Sequence, residues 1–274
     1  MKKRISLSLV LVSLLAFAGC GTSTTDTSST AASTVESSVV ATEEPQEVVL
    51  YVTRHGKTMF NTVHRAQGWS DTPLTDAGVE VAEQLGAGLK AEGIEFVSAY
   101  SSDAGRARET ARLVLENNGQ EDLVLNESSD LREVCFGVYE GDTDENMWNA
   151  IAKEMGYESQ TALFEAGAID LEKVVDAVDV IDSEAGMAED FATVKNRMQT
   201  ELKAIAEDTE KAGGGNVLVV AHGMSIMAMI SDMTDEVPEG GQLPNASVTK
   251  IVYKDGNFTV ESVGSLEYVE KGAE

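Results

Sequence analysis

The chain has 274 residues, of which 20 are Lys or Arg and 47 are Asp or Glu, a formal net charge of −27 at pH 7. So acidic a protein excludes nucleic acid as a partner, because binding a phosphate backbone needs a basic surface. A polybasic membrane-binding patch is excluded on the same ground.

In chain order, Met1-Lys2-Lys3-Arg4 is basic and Ile5 to Ala18 is an almost unbroken apolar run, the layout of a secretory signal peptide and short for a membrane span. The run ends in Ala16-Phe17-Ala18-Gly19-Cys20, which resembles the lipobox of bacterial lipoproteins, with Phe17 where Leu is usual. The resemblance implies a signal peptide over residues 1–19 and a lipid on Cys20. That lipid would anchor the chain to the extracytoplasmic face of the bacterial cell membrane. Removing Lys2, Lys3 and Arg4 with the signal leaves 17 basic against 47 acidic side chains. Cys135 is then without a disulfide partner, and its apolar neighbours mark it as a core residue. Residues 20–46 are mostly Ser, Thr, Ala and acidic residues, with too little apolar surface to offset chain entropy; they are expected to form a disordered tether. Residues 47–274 suit one large domain.

Val48 to Val52 reads as a strand buried on both faces, ending in Arg54-His55-Gly56. Met59 to Leu74 is loop-like. Thr75 caps a helix carrying Val79, Val81, Ala82, Leu85 and Leu89, which stops near Gly93. Phe96 to Tyr100 is a second strand. A helix capped by Ser102 or Asp103 follows, with Arg106 in its first turn, and Leu123 to Leu125 is a short third strand.

Residues 142–190 contain fourteen acidic side chains and only Lys153 and Lys173 as basic ones. Amphipathic stretches over Glu145–Met155, Gln160–Ala166 and Leu171–Val180 give a small helical acidic cap, inserted in the domain because it has no strand pattern or core of its own. A long helix spans Phe191 to Lys211. Asn216 to Ala221 is the clearest buried strand, ending in His222-Gly223, and a Met-rich helix follows to about Met233. Ala246–Tyr253 and Phe258–Val263, joined at Asp255-Gly256, form a hairpin. The alternation predicts an α/β fold, a three-layer α/β/α sandwich with a mostly parallel central sheet. Ligands bind such sheets beyond the carboxyl ends of the strands, where Arg54-His55 and His222-Gly223 both fall.

Five segments, in order, resemble the histidine phosphatase superfamily, in its phosphoglycerate-mutase-like branch. They are Arg54-His55-Gly56-Lys57-Thr58 with Asn61, Gly68 to Thr75, Ser101 to Ala111, Leu131 to Gly141, and Ala221-His222-Gly223. The resemblance implies that His55 is a nucleophile forming a phosphohistidine, and that Arg54, Arg106 and His222 hold the phosphoryl oxygens. It also implies that Glu133 is the proton donor and acceptor, a task that wants a carboxyl pKa raised toward neutrality. Asn61, Gln67, Gly68 and Gly223 are the remaining phosphate-binding candidates. No metal and no cofactor is implied, since the arginines and second histidine supply the positive charge. Lys57, Met59-Phe60 and Glu109 depart from the usual pattern without removing a catalytic group.

The expected activity is a membrane-anchored, metal-independent phosphomonoesterase acting on a small phosphorylated substrate. Two alternatives stand beside it. A phosphoglycerate mutase is disfavoured by export, because its substrate is cytosolic. A catalytically silent binding lipoprotein is disfavoured by the full set of site residues.

Overall fold

The computed structural model describes residues 46–238 and 241–274. The expected signal peptide, Cys20 and all of the tether but Gln46 lie outside the described residues. No helix among the described residues is long and apolar enough to cross a membrane.

Within the described residues one sheet contains β1 (Val48–Arg54), β2 (Phe96–Ser102), β3 (Leu125–Ser128), β4 (Gly215–Ala221), β5 (Val248–Lys254) and β6 (Asn257–Ser265), in the order β3-β2-β4-β1-β5-β6. The first four in that order run parallel, and the terminal hairpin β5–β6 is antiparallel. Side chains alternate as the pleat requires. Leu50, Val52, Val217 and Val219 enter one core, while Tyr51, Leu218 and Val220 enter the other.

Helices α2 (Asp76–Ala91), α3 (Gly105–Asn118) and α9 (Glu267–Gly272) cover the second face. On the first lie α4 (Asp144–Glu154), α6 (Leu171–Ile181), α7 (Phe191–Lys211) and α8 (Gly223–Ile230). The sandwich is therefore three-layered. In α2 the Thr75 hydroxyl accepts from Gly78 N at 3.2 Å, and Ala82, Leu85 and Leu89 form the buried stripe. Each buried leucine there stabilises the fold by roughly 1.5–3 kcal/mol.

Three local expectations shift. Met59–Val63, expected as loop, forms the one-turn helix α1, because Thr58 and Asn61 make reciprocal side-chain caps. The third strand begins at Leu125, two residues later than the apolar pattern placed it. Helix α3 has no side-chain cap from Ser102 or Asp103; its first N–H, on Gly105, donates instead to Asp71 at 2.7 Å.

The acidic insertion, with α5 (Gln160–Glu165) between α4 and α6, shares the main core through Val174, Val175 and Val178. It is tied to the loop before it by Asp182, whose carboxylate accepts from Val138, Met187 and Ala188 N at 2.7–2.8 Å. Burial raises the pKa of this carboxyl, but the three backbone donors outweigh burial and hold it below the usual value. Gly137 is required at this point: its φ is +54°, and a Cβ there would stand 2.2 Å from the Asp182 carboxyl carbon.

Candidate active site

The parallel register of β1 and β4 places Arg54 opposite Ala221. The next residues, His55 and His222, therefore leave neighbouring strands together at the carboxyl edge of the sheet. Their rings lie 5.2 Å apart between centroids, at 60°. Both are buried.

His55 Nδ1 lies 2.8 Å from the Gly56 carbonyl oxygen. A carbonyl only accepts, so Nδ1 carries the proton and Nε2 carries the lone pair. Burial, then the charges of Arg106 and Arg54, push the imidazole pKa well below its usual value. His222 is depressed in the same way by burial, Arg106 and His55. Both histidines are thus neutral, the form in which an imidazole nitrogen is a nucleophile.

Arg106, in the first turn of α3, is almost wholly buried. Its Nη1 donates to Ser70 O at 2.8 Å and to Asp71 at 3.0 Å, and its Nη2 to Gly68 O at 2.7 Å. Arg54 donates through Nη1 to Leu243 O. Yet Arg54 Nε, Arg106 Nε and both ring nitrogens of His222 are buried with no protein partner. Each such orphan costs about 1–3 kcal/mol unless something satisfies it. Two guanidinium N–H groups and an imidazole N–H left without partners in one cluster can take an anion.

Glu133 is buried beside this cluster, on the loop joining β3 to α4. Its carboxylate accepts from Ser225 N at 2.7 Å and Met224 N at 3.1 Å, at the N-terminus of α8, and from Val134 N at 3.0 Å. A cleft of about 260 Å³ opens above, lined by residues including Gly68, Trp69, Asp71, Arg108, Glu133 and His222. None of its lining residues comes from the acidic insertion.

Of the expected groups, Gly68, Glu133 and His222 line the cleft, while His55, Arg54, Arg106, Asn61, Gln67 and Gly223 are not among its lining residues. Asn61 uses its side-chain oxygen to accept from Thr58 N in the α1 cap. Gln67 accepts from the Thr58 hydroxyl at 2.6 Å and donates to the Thr72 hydroxyl at 2.9 Å, so both ends of its amide fix the loop. Gly68 lines the cleft and holds Arg106 through its carbonyl. A Cβ on Gly68 would meet Val134 O at 2.1 Å, so only glycine allows these two loops to approach. Gly223 lies at the start of α8 against the Arg54 guanidinium. Lys57 and Glu109 are exposed and do not line the cleft. Cys135 is a free, buried thiol whose pKa burial pushes up, as a core residue should be.

Two further residues shape the site. Asp71 pairs with Arg106 and caps α3. Glu140 gathers the N–H groups of Gly68, Trp69, Ser70 and Phe136 at 2.7–3.2 Å, fixing the loop whose carbonyls orient Arg106. Both sit in quoted motifs, Asp71 in Gly68 to Thr75 and Glu140 in Leu131 to Gly141, but the motifs gave neither a role. No group of three or more His, Cys, Asp or Glu among the described residues could hold a metal ion.

The buried neutral histidines predict a pH dependence of stability. A histidine whose folded pKa lies below 6.5 takes up its proton first in the unfolded chain. Stability then falls as pH drops below that value, by up to about 1.4 kcal/mol per pH unit for each histidine. Urea unfolding is expected to show lower stability at pH 5.5 than at pH 7, by at most about 2.5 kcal/mol, with a smaller loss in His222→Gln. A flat profile over this interval contradicts the burial of neutral imidazoles.

The family model "Histidine phosphatase superfamily (branch 1)" matches residues 50–265. Among solved structures, phosphoglycerate mutase from Bacillus anthracis str. Sterne is 47% identical, with a TM-score of 0.78, covering 84% of this chain and 99% of that one. A 2,3-bisphosphoglycerate-dependent phosphoglycerate mutase of Parvibaculum lavamentivorans is 40% identical over 93 residues, which span 34% of this chain and 44% of that protein. The fold is shared with phosphoserine phosphatase from Entamoeba histolytica, at 21% identity and a TM-score of 0.56, covering 81% of this chain and 99% of that one.

Proposed function

The chain belongs to the histidine phosphatase superfamily, and on that premise we propose that it hydrolyses small organic phosphomonoesters through a phosphohistidine on His55. The observation that carries the reading is the neutral His55, its Nδ1 proton fixed on Gly56 O, beside the buried guanidinium of Arg106 and the partly buried one of Arg54, each with an unpartnered Nε. The Nε2 lone pair attacks phosphorus and the ester P–O bond breaks. Arg54, Arg106 and His222 hold the phosphoryl oxygens as their charge grows. Glu133, protonated from solvent before the step, gives that proton to the leaving oxygen. Water then attacks the phosphohistidine, Glu133 takes the water's proton, and the P–N bond breaks to release phosphate and restore His55.

Solvent access favours hydrolysis: Asp71, at the cleft wall, is 36% exposed in its side chain, and Asp103 is 29% exposed. A second reading, phosphoglycerate mutase chemistry, rests on the 47% identity to the Bacillus anthracis enzyme. A fold that serves both activities does not choose between them. A silent binding protein has no use for a nucleophile, a proton carrier and two guanidiniums gathered at one sheet edge.

The lipobox-like leader supports anchoring through Cys20 outside the cell membrane. Intact cells expressing the full chain are expected to release inorganic phosphate from a membrane-impermeant ester, with the activity sedimenting with membranes. Cys20→Ser moves that activity away from the membrane pellet. Interconversion of 3- and 2-phosphoglycerate by the purified chain, with negligible phosphate release, favours the mutase reading instead.

A further inference from the structure

The loop carrying Glu133 runs from β3 to α4 with only two short 3-10 turns, Ser129–Leu131 and Gly137–Tyr139. It has no strand ladder to fix it, so its shape depends on the side chains that grip its backbone. Arg197, on α7, is the largest of these grips. Its Nη1 donates to Asp130 O at 2.9 Å and Arg132 O at 2.6 Å, and its Nη2 to Glu133 O at 2.8 Å. The two remaining N–H groups form a bidentate pair with Glu189, at 2.8 and 2.9 Å. All five guanidinium donors are therefore engaged. Glu189, at the return of the acidic insertion, also accepts from Cys135 N at 3.1 Å and donates its own N–H to Cys135 O at 3.2 Å. The side chains of the pair are only 12% and 11% exposed, and neither lines the cleft.

We propose that Arg197 and Glu189 are positioning residues for Glu133, and that the acidic insertion serves the reaction through them by holding the proton-carrying loop in register with the cleft. The inference rests on the proposed phosphatase reading, in which Glu133 transfers the proton. Carbonyls on both sides of the Glu133 Cα, and the N–H of Cys135, are held by one ion pair. Releasing them frees the backbone torsions that aim the Glu133 carboxylate at the leaving oxygen. A bidentate fork in a nearly buried setting makes the geometry specific to arginine.

Leaving-group dependence tests this. An alkyl phosphate needs its leaving oxygen protonated; a dinitrophenyl phosphate does not, because dinitrophenolate leaves as the anion. The kinetic constant to compare is kcat/KM, which reports steps through formation of the phosphohistidine. In the purified full chain, Arg197→Met is expected to lower kcat/KM about 10²-fold for the alkyl ester and less than about threefold for the dinitrophenyl ester. Arg197→Lys, which keeps the charge without the fork, does not restore the alkyl activity. In a Glu133→Gln background, Arg197→Met has no further effect on the alkyl ester. If Arg197→Met fails to fold, Glu189→Gln, which keeps side-chain volume, carries the same comparison.

Equal losses for the two esters, rescue by lysine, or an undiminished effect in the Glu133→Gln background overturns the inference. If Glu133→Gln itself lowers both esters equally, the proton-transfer reading falls with it. If Glu133→Gln discriminates between the esters and Arg197→Met does not, the functional reading stands and the positioning role falls.

Discussion

Replacing His55 by alanine is expected to reduce phosphomonoester turnover by on the order of 10⁴-fold or more, with little change in fold. The imidazole makes one hydrogen bond with the protein, to Gly56 O, so its removal breaks a single contact. What is lost is the covalent route. Without it water must displace the ester oxygen in one step, and no other neutral nucleophile stands in the same place: His222 is displaced by a ring separation of 5.2 Å. The arginines still bind phosphate, so inorganic phosphate is expected to remain an inhibitor of the variant. Hydrolysis at near wild-type rate, measured by phosphate release, contradicts the nucleophilic role.

Replacing Arg106 by methionine is expected to lower kcat/KM about 10³-fold and to cost about 1–3 kcal/mol of stability. The two losses have separate origins. The catalytic loss comes from a guanidinium that meets the phosphoryl group with its unpartnered Nε, in a buried setting where charge is weakly screened. Burial pulls the pKa of this guanidinium down, with Asp71 and Glu133 opposing, and the arginine remains charged. The stability loss comes from the carbonyls of Gly68 and Ser70, which lose their donor. Asp71 adds less, because it is partly exposed and turns to water. Arg106→Lys is expected to recover less than about tenfold of the activity, since an ammonium cannot hold two carbonyls, a carboxylate and a phosphate at once. Near wild-type kinetics in the lysine variant contradict the fork geometry.

The sheet was legible because its central strands are short apolar runs buried on both faces, and no other reading suits Val217 to Ala221. The meeting of His55 and His222 followed from parallel pairing, which brings successive strand ends to one edge. What was not legible was the use of side chains at long range. Gln67 and Asn61 lie in motif positions, yet their amides hold Thr58 and Thr72, and sequence order cannot distinguish a loop fastener from a ligand. The cap on α3 comes from Asp71, more than thirty residues upstream, so the local Ser102-Asp103 signal pointed to the wrong group. Helix α9 has little apolar periodicity; it is held by Tyr268 packing on Tyr51 and by close approach to α2. Glu189 and Arg197 are ordinary charged residues in an acidic sequence, and Glu140 lies in a quoted motif that assigned it no role. Only the folded chain shows that they grip the loops bearing Arg106's carbonyl partners and Glu133.

Rapid quenching of the wild-type chain during turnover of a radiolabelled phosphomonoester tests the central claim most directly. The expected result is label bound through an alkali-stable, acid-labile bond, mapping to the peptide containing His55 and absent from His55→Ala. Turnover with no trapped label, or label on another residue, contradicts a phosphohistidine at His55.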